Sequence, residues 1–485
     1  MNASLSARRR WQRFSGELPS VYLKARPLRR VHPFLRLLSL LLLIYALLGR
    51  TGAYIGVTLG GGTGIYLGDL VLLVGLGVLI LDGSYRQFFR LRVAWPWLLF
   101  FIWSAARTLP YLSEYGLLAL RDGVLWGYSL FAVILSWQLT ARPSGFVYLL
   151  SKYQILARYY VFWILPLLLV SLLFPGEVLG FALPGIVTWL PHVAGAMGFV
   201  VGGWVPVSAS WWWALTIEVL IIGSQGRGVL LSFLAAAAVL WLCNPWGMRR
   251  LNVRVIGVLA GLAFMLAPAL MLNLNLGVSA AGRAFGPNQV IENLVGAFSH
   301  TGSGALDGTR QWREDFWNAI IDYTIFGPYF WTGKGYGINL AEDAGVPLTD
   351  IEGTARTPEN SHLSLLAHSG VPGLFLWAIL QSTWVVSILR VLFFARRTGR
   401  RLTTGLMTFL LAYWTTFMLY TSTGPVIESP AGGIWFWTIF GFGAAAAGIV
   451  RRDGDFFERT ELCAAAPSPR QAPASPAQYP SPHVG

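Results

Sequence analysis

Val371-Pro-Gly-Leu-Phe-Leu-Trp-Ala-Ile-Leu-Gln-Ser-Thr-Trp-Val-Val-Ser-Ile-Leu-Arg-Val-Leu-Phe-Phe394 runs directly into Ala395-Arg-Arg-Thr-Gly-Arg-Arg401. The first stretch has the length a bilayer demands of a helix, about 17–25 residues. The second sets Arg396, Arg397, Arg400 and Arg401 at one end of it. Basic residues beside an apolar helix mark its cytoplasmic end. Outward from this point the same pairing recurs. Apolar runs at 34–49, 67–83, 94–109, 118–139, 159–174, 193–207, 209–223, 228–243, 254–272, 403–423 and 433–450 join 371–394 to predict about a dozen transmembrane helices. The expected fold class is an all-α polytopic membrane protein with one large extracytoplasmic loop.

Charge tests this map independently of hydropathy. Arg86, Arg90 and Arg92, then Arg142, Lys152 and Arg158, then Arg249, Arg250 and Arg254, and finally Arg451 and Arg452 fall in alternate loops. The intervening loops near 110–117, 175–192 and 424–432 carry no Lys or Arg. Both termini are therefore expected in the cytoplasm. The apolar run after the basic N-terminus lacks a small-residue cleavage site and reads as a retained signal anchor. Segment 273–360 is the exception in charge. It holds five basic residues against ten acidic ones, net −5, while the rest of the chain is net +19. The domain map is a basic cytoplasmic segment at 1–33, helices over 34–272, an extracytoplasmic loop domain at 273–370, helices over 371–450 and a cytoplasmic tail at 451–485. Six prolines between 467 and 482 predict that this tail is disordered.

Composition agrees. Of 485 residues, 55% are hydrophobic and only 12% charged, against roughly 25% charged in soluble domains. Twenty-two Trp and eighteen Tyr suit the membrane–water interface, and membrane lipids are implied partners. The net charge of +14 sits in short loops between spans, which excludes nucleic acid as the partner. Gly60, Gly61, Gly62 and Gly64 lack the Lys-Ser/Thr ending of a phosphate loop and read as a flexible external turn. Asp350 and Glu352 are too sparse a pattern for a metal site, so none is assigned.

The chemistry-bearing residues gather in the second half of the chain. In Arg356-Thr-Pro-Glu-Asn-Ser-His-Leu363, Thr357 suits an N-cap and Pro358 the first helical position. A short surface helix is expected there, ending at Gly370 before the 371–394 span. Glu359 and His362, three residues apart, would share a face and offer two proton acceptors. The plainer alternative is that Glu359 only stabilises the helix start and His362 is an interfacial polar group. Arg227 sits in the turn Ser224-Gln-Gly-Arg-Gly228, and Arg310 and Arg313 begin an amphipathic helix expected to run through Ile321. A guanidinium fork matches phosphate oxygens, although pairing with Glu314 or Asp315 would also satisfy it. Glu218, inside an apolar run, is a functional candidate by default or a neutral helix contact. Asp69, Arg121 and Asp122 lie near span ends, where the interface can satisfy them.

Three patterns resemble the O-antigen ligase/polymerase family of bacterial envelope glycosyltransferases. Ser224-Gln-Gly-Arg-Gly228 resembles its S-x-x-R-G turn. Trp312-Arg-Glu-Asp-Phe-Trp317 with Gly333-Lys-Gly-Tyr-Gly337 resembles its R-x-x-x-W … G-x-G segment. Arg356-Thr-Pro-Glu-Asn-Ser-His-Leu363 with Gly370-Val-Pro-Gly373 resembles its R-x-P-H-N-x-H-L … G-x-P-G signature. Where many members carry His before Asn, this chain has Glu359, ahead of Asn360, while His362 is retained.

The resemblance implies transfer or polymerisation of glycans from a polyprenyl (undecaprenyl) diphosphate donor to a glycan or lipid-linked acceptor. Such chemistry builds lipopolysaccharide or exopolysaccharide of the cell envelope at the bacterial inner membrane. Arg227, Arg310, Arg313 and Arg356 would hold the diphosphate, and Glu359 or His362 would take the acceptor's proton. Asn360 and Glu218 are further candidates. Because the leaving group is already activated, no cofactor and no metal are implied. The rival classes are a transporter or flippase of lipid-linked sugars and a non-catalytic scaffold. No internal repeat supports a transporter, and a scaffold leaves the Arg and Glu/His grouping unexplained.

Overall fold

The computed structural model describes residues 31–60, 63–173, 177–178, 181–182, 190–244, 279–280, 283–284, 304–345 and 356–459. The predicted span 254–272, the pair Asp350 and Glu352, the N-terminal basic segment and the tail beyond Arg459 lie outside the described residues.

The described chain is helical apart from two-stranded hairpins, and the first hairpin joins α1 to α2. The helices are α1 (Pro33–Ala53), α2 (Leu67–Asp82), α3 (Ala94–Thr108), α4 (Leu117–Asp122), α5 (Ser129–Ala141), α6 (Ser144–Leu173), α7 (Leu190–Val201), α8 (Ala209–Gln225), α9 (Arg227–Cys243), α10 (Gly304–Thr324), α11 (Ser361–Arg397), α12 (Arg401–Thr421) and α13 (Pro430–Arg452). Among the described residues, five stretches are long and apolar enough to cross a membrane: Val124–Ala141, Ser144–Val170, Ser361–Arg397, Arg401–Thr421 and Pro430–Arg452. Shorter apolar helices accompany them at Pro33–Gly49, Leu190–Val201, Ala209–Gly223 and Arg227–Cys243. The protein is a multi-pass membrane protein.

The core is built around α13. Ser429 caps its start by accepting from the Gly432 amide at 3.2 Å, and Pro430 occupies the first helical position. From Pro430 to Val450 every residue is buried. Its most extensive partner is α5, and small residues permit the close approach. A Cβ at Gly441 would stand 2.6 Å from the Ala132 carbonyl oxygen. α12 packs against α7, α9 and α11, and α11 packs against α3 as well.

Several sequence expectations shift. The run 118–139 is interrupted where α4 ends at Asp122, and the membrane-length stretch begins at Val124. Lys152 and Arg158 are exposed positions within α6, which starts at Ser144, rather than loop residues. Gly60 and Gly64 of the glycine cluster lie on the strands of a hairpin, Gly56–Gly60 paired with Thr63–Tyr66, while Gly61 and Gly62 lie outside the described residues. Residues 453–459 form a turn in which Asp455 holds Arg400 at 2.8 Å.

The break expected at Gly370 is present: two helices meet there across a kink, and α11 names the run on both sides of it. Gly370 (φ 70°, ψ −175°) interrupts α11, and Pro372 has no amide hydrogen to give. Three carbonyls thereby lose their helical donors, and buried carbonyls must find others. The Ala367 oxygen accepts from the Lys334 amide at 2.7 Å and the His368 oxygen from the Gly335 amide at 3.1 Å. The Ser369 oxygen accepts from the Trp103 indole at 3.0 Å. The displaced Val371 amide donates to the Phe330 oxygen at 2.8 Å. The kink is the socket for the Gly333-Lys-Gly-Tyr-Gly337 loop. That loop needs its glycines: all three have positive φ, and a Cβ at Gly333 would fall 2.5 Å from the His368 carbonyl carbon.

Candidate functional site

The first turn of α11 is three residues later than the sequence predicts. Its N-cap is Asn360, whose Oδ1 accepts from the amides of His362 (3.1 Å) and Leu363 (3.3 Å). Thr357 and Pro358 precede the helix, so Glu359 does not share a helical face with His362. This corrects the expected helix start. An N-cap accepting two amides outcompetes Thr357 because it satisfies two orphan donors at once.

Glu359 instead occupies the turn into the helix at φ 50°, the one non-glycine residue among those described with positive φ. Such a conformation in a non-glycine residue costs on the order of 1–3 kcal/mol and persists only when surroundings enforce it. Two residues of α10 do so. The Trp317 indole donates to the Pro358 oxygen at 2.8 Å. The Arg313 guanidinium donates from Nε to Glu359 Oε2 at 2.9 Å and again from Nη2 to the same oxygen. Arg313 and Glu359 both keep solvent access, at 26% and 42% of side-chain area, so a ligand can reach the pair. Phe316 and Ile320 of α10 are buried with Leu366 and Ala367 of α11, which fixes the two helices together.

His362 is placed differently. The Trp377 indole donates to its Nδ1 at 3.3 Å, which leaves the proton on Nε2, 3.4 Å from the Met418 carbonyl oxygen. Both nitrogens are engaged, so the ring ties α11 to the end of α12. That same end gathers other candidates. Tyr420 lies within electrostatic reach of Glu359 and Arg313. Thr423 abuts Gly228, where a Cβ would meet its Oγ1 at 2.3 Å, and Arg227 opens α9 beside it. Arg227, Arg313, Glu359, Asn360 and His362 thus converge on one end of the bundle.

Arg356 serves a separate connection. Its Nη2 donates to the Gly337 oxygen at 3.0 Å and reaches Asp122 Oδ2 at 3.4 Å, while Asp122 also accepts from the Gly337 amide at 3.0 Å. His368 Nδ1 donates to the Gly335 oxygen at 2.6 Å, and Tyr336 stacks on its ring and bonds Ser369 Oγ at 2.7 Å. These contacts lock the glycine loop into the kink. Arg310 lies on α10, but its side chain lies outside the described residues. Glu218 is fully buried on α8, with neither oxygen hydrogen-bonded among the described residues. Its electrostatic neighbour is Tyr160 of α6, and no contact joins it to the Arg313–Glu359 pair.

Two carboxylates escaped the sequence reading. Asp122 was indistinguishable from an interfacial charge, since its partner Arg356 is 234 residues away. Glu428 sits in the helical turn Val426–Glu428 between α12 and α13. Its Oε1 is shielded from solvent and closes no hydrogen bond of normal geometry. Burial pushes its carboxyl up to about 7, against the opposing effect of the nearby Ser361 and Ser364 hydroxyls, and the Asp122 charge adds to the rise. No local pattern in Gly424-Pro-Val-Ile-Glu-Ser429 announces this role.

No curated protein matches the chain. Arg227, Arg313, Arg356, Glu359 and His362 all fall inside one matched segment, whereas Asp122 and Glu428 fall outside it. Residues 212–378 match the family model described as O-antigen ligase, and over that segment the chain is similar to the O-antigen ligase family.

Proposed function

We propose that the protein transfers or polymerises glycans carried on a polyprenyl diphosphate, at the extracytoplasmic face of the bacterial inner membrane. The observation that carries this reading is the solvent-accessible Arg313–Glu359 pair, set within the family segment and held in a strained turn. Arg313 and Arg227 bind the donor diphosphate, with Arg310 assisting. Arg356, engaged with Asp122 and Gly337, supports the site by fixing the loop. The positive-inside rule supports an outside position for this end, because the arginine-rich loops lie at the other ends of the same helices.

The acceptor hydroxyl oxygen attacks the anomeric carbon of the donor sugar. The bond from that carbon to the diphosphate oxygen breaks, and its electron pair leaves with the diphosphate. Guanidinium groups stabilise the charge that builds there. The hydroxyl proton passes to Glu359. In the ligand-free arrangement Arg313 occupies Oε2 of this carboxylate with two donors. A bound diphosphate competes for Arg313 and frees Glu359 Oε2 to accept the proton of the reacting hydroxyl. His362, with both nitrogens occupied, positions the start of α11.

Deletion in the native host, followed by gel analysis of surface glycans, tests the reading. Loss of the long-chain ladder with a single-repeat product remaining identifies a polymerase. Full-length polymer left unattached to its acceptor identifies a ligase. An unchanged glycan profile contradicts both.

A further inference from the structure

α1 and α6 are joined at two levels. Near their starts the Tyr148 hydroxyl donates to Ser39 Oγ at 3.1 Å, since Ser39 gives its own proton to the Arg36 oxygen. Further along, the Tyr160 hydroxyl bonds the Ala46 oxygen at 3.2 Å and the Trp163 indole bonds the Leu47 oxygen at 3.1 Å. A cavity of about 560 Å³ lies between these joints. Leu40, Leu43, Ile155 and Tyr159 are exposed at its mouth, and buried Phe199, Phe409, Trp435 and Thr438 make its floor. Three polar features interrupt the apolar lining. Arg36 and Lys152 are exposed, with no ion pair among the described residues, and no acidic side chain lines the cavity. Lys152 rests only on the Tyr148 ring, 5.7 Å from its centre. Thr438 is 5% exposed, yet its Oγ1 closes no hydrogen bond. Thr404, Thr408 and Thr416, by contrast, donate to their own helix backbone. A buried hydroxyl left over in this way points to a missing polar partner.

We propose that this cavity is a site for one anionic phospholipid of the cytoplasmic leaflet. Arg36 and Lys152 take its phosphate, Thr438 donates to an ester carbonyl, and an acyl chain fills the apolar remainder. Depth supports the assignment. α13 runs antiparallel to α1, because Trp435 donates to the Leu42 oxygen while Phe442 meets Phe146 at the level of Leu35. Thr438, three residues past Trp435, therefore stands level with Ser39, three before Leu42. That is roughly 4.5 Å deeper than Arg36, as an ester lies below its phosphate. Length agrees too. From Arg36 to Leu47 the helix rises about 16 Å, and one leaflet of hydrocarbon is about 15 Å thick. Two cations with no carboxylate beside them favour an anionic headgroup over a zwitterionic one. The positive-inside rule supports a cytoplasmic position for this end, which Arg142 also flanks. A polyprenyl lipid entering from the outer leaflet fits less well, because Tyr160 and Trp163 close α1 against α6 on that side.

The test uses the full chain in detergent, offered equimolar phosphatidylglycerol and phosphatidylcholine with identical acyl chains, and native mass spectrometry counts what is retained. The wild type should hold one phosphatidylglycerol and prefer it about tenfold. The double variant Arg36→Gln/Lys152→Gln, at exposed positions, should lose the preference and keep the weaker binding of phosphatidylcholine. Its unfolding temperature without lipid should match the wild type's, while added phosphatidylglycerol should raise that temperature in the wild type alone. Thr438→Val keeps the side-chain shape without the hydroxyl and should weaken both lipids equally, about threefold. Equal retention of the two lipids by the wild type overturns the site, and so does an undiminished preference in the double variant. Displacement of the bound phosphatidylglycerol by one equivalent of undecaprenyl diphosphate gives the cavity to the polyprenyl lipid and overturns it as well.

Discussion

Among the regions of this molecule that hold an arginine against a carboxylate, two are built to opposite standards. Near the start of α12, Glu458 places both oxygens on that helix's first turn, accepting from the amides of Leu402 (3.3 Å) and Thr403 (2.9 Å) and from Thr403 Oγ1 (2.9 Å). Arg400 reaches Asp455 beside it. This is capping by Glu458, whose carboxylate ends on backbone donors that need it, with the Arg400–Asp455 pair alongside. Near the start of α11, Glu359 caps nothing. The cap is Asn360, and Glu359 sits at positive φ with Arg313 as its partner. The Arg400–Asp455 pair stands beside a carboxylate that holds a helix start through backbone amides. An ion pair that awaits a substrate can be released without unravelling a helix.

The comparison breaks first at the arginines. Arg313→Lys keeps the charge but loses the planar fork, and should lower glycan transfer about 100-fold or more at equal protein level. Arg400→Lys should leave transfer per folded molecule unchanged. Pulse-labelled surface glycan, normalised to membrane protein, measures both.

A second effect is nearly as large and structural in origin. Gly335→Ala must place a Cβ 2.0 Å from the Tyr111 ring at φ 90°. It should expel the loop from the kink of α11, with loss of transfer and a lowered unfolding temperature. Pro372→Ala restores an amide hydrogen to α11 without a clash and should retain transfer. The contrast between these variants, followed by thermal unfolding in detergent, separates the loop from the proline.

The smaller effects sharpen the distinction. Glu359→Gly removes the carboxylate and the strain together. Transfer should be lost while stability holds or rises by about 1 kcal/mol. Ser429→Ala removes the cap of α13 and should cost about 1 kcal/mol of stability with transfer retained. Denaturation midpoints alongside transfer assays check the pair.

Much of this architecture was readable beforehand, because apolar runs of bilayer length have few alternatives. Runs such as 403–423 and 433–450 shifted by two or three residues to Arg401–Thr421 and Pro430–Arg452. Interruptions were harder. Asp122 ends α4 inside a run that is apolar on both sides, and nothing local shows that the carboxylate is needed by Gly337 and Arg356. In the site, Arg313 and Glu359 stood out as residue types at a span boundary. Their pairing did not, since it joins positions 46 apart through a turn whose start was misplaced. Thr357-Pro358 has every local mark of a helix start, and Asn360 prevails because it accepts from two amides and because Trp317 and Arg313 fix the turn from another helix. Glu428 was invisible because its neighbours Ser361 and Ser364 lie on another helix, more than sixty residues earlier in the chain.

The most direct measurement is transfer by the purified protein in liposomes, supplied with the native host's polyprenyl-diphosphate-linked repeat unit. Released polyprenyl diphosphate and glycan product are read together for wild type, Arg313→Lys and Glu359→Gln. The account predicts stoichiometric release and product with the wild type and neither with the two variants, at matched folding. Equal turnover by all three proteins would contradict it.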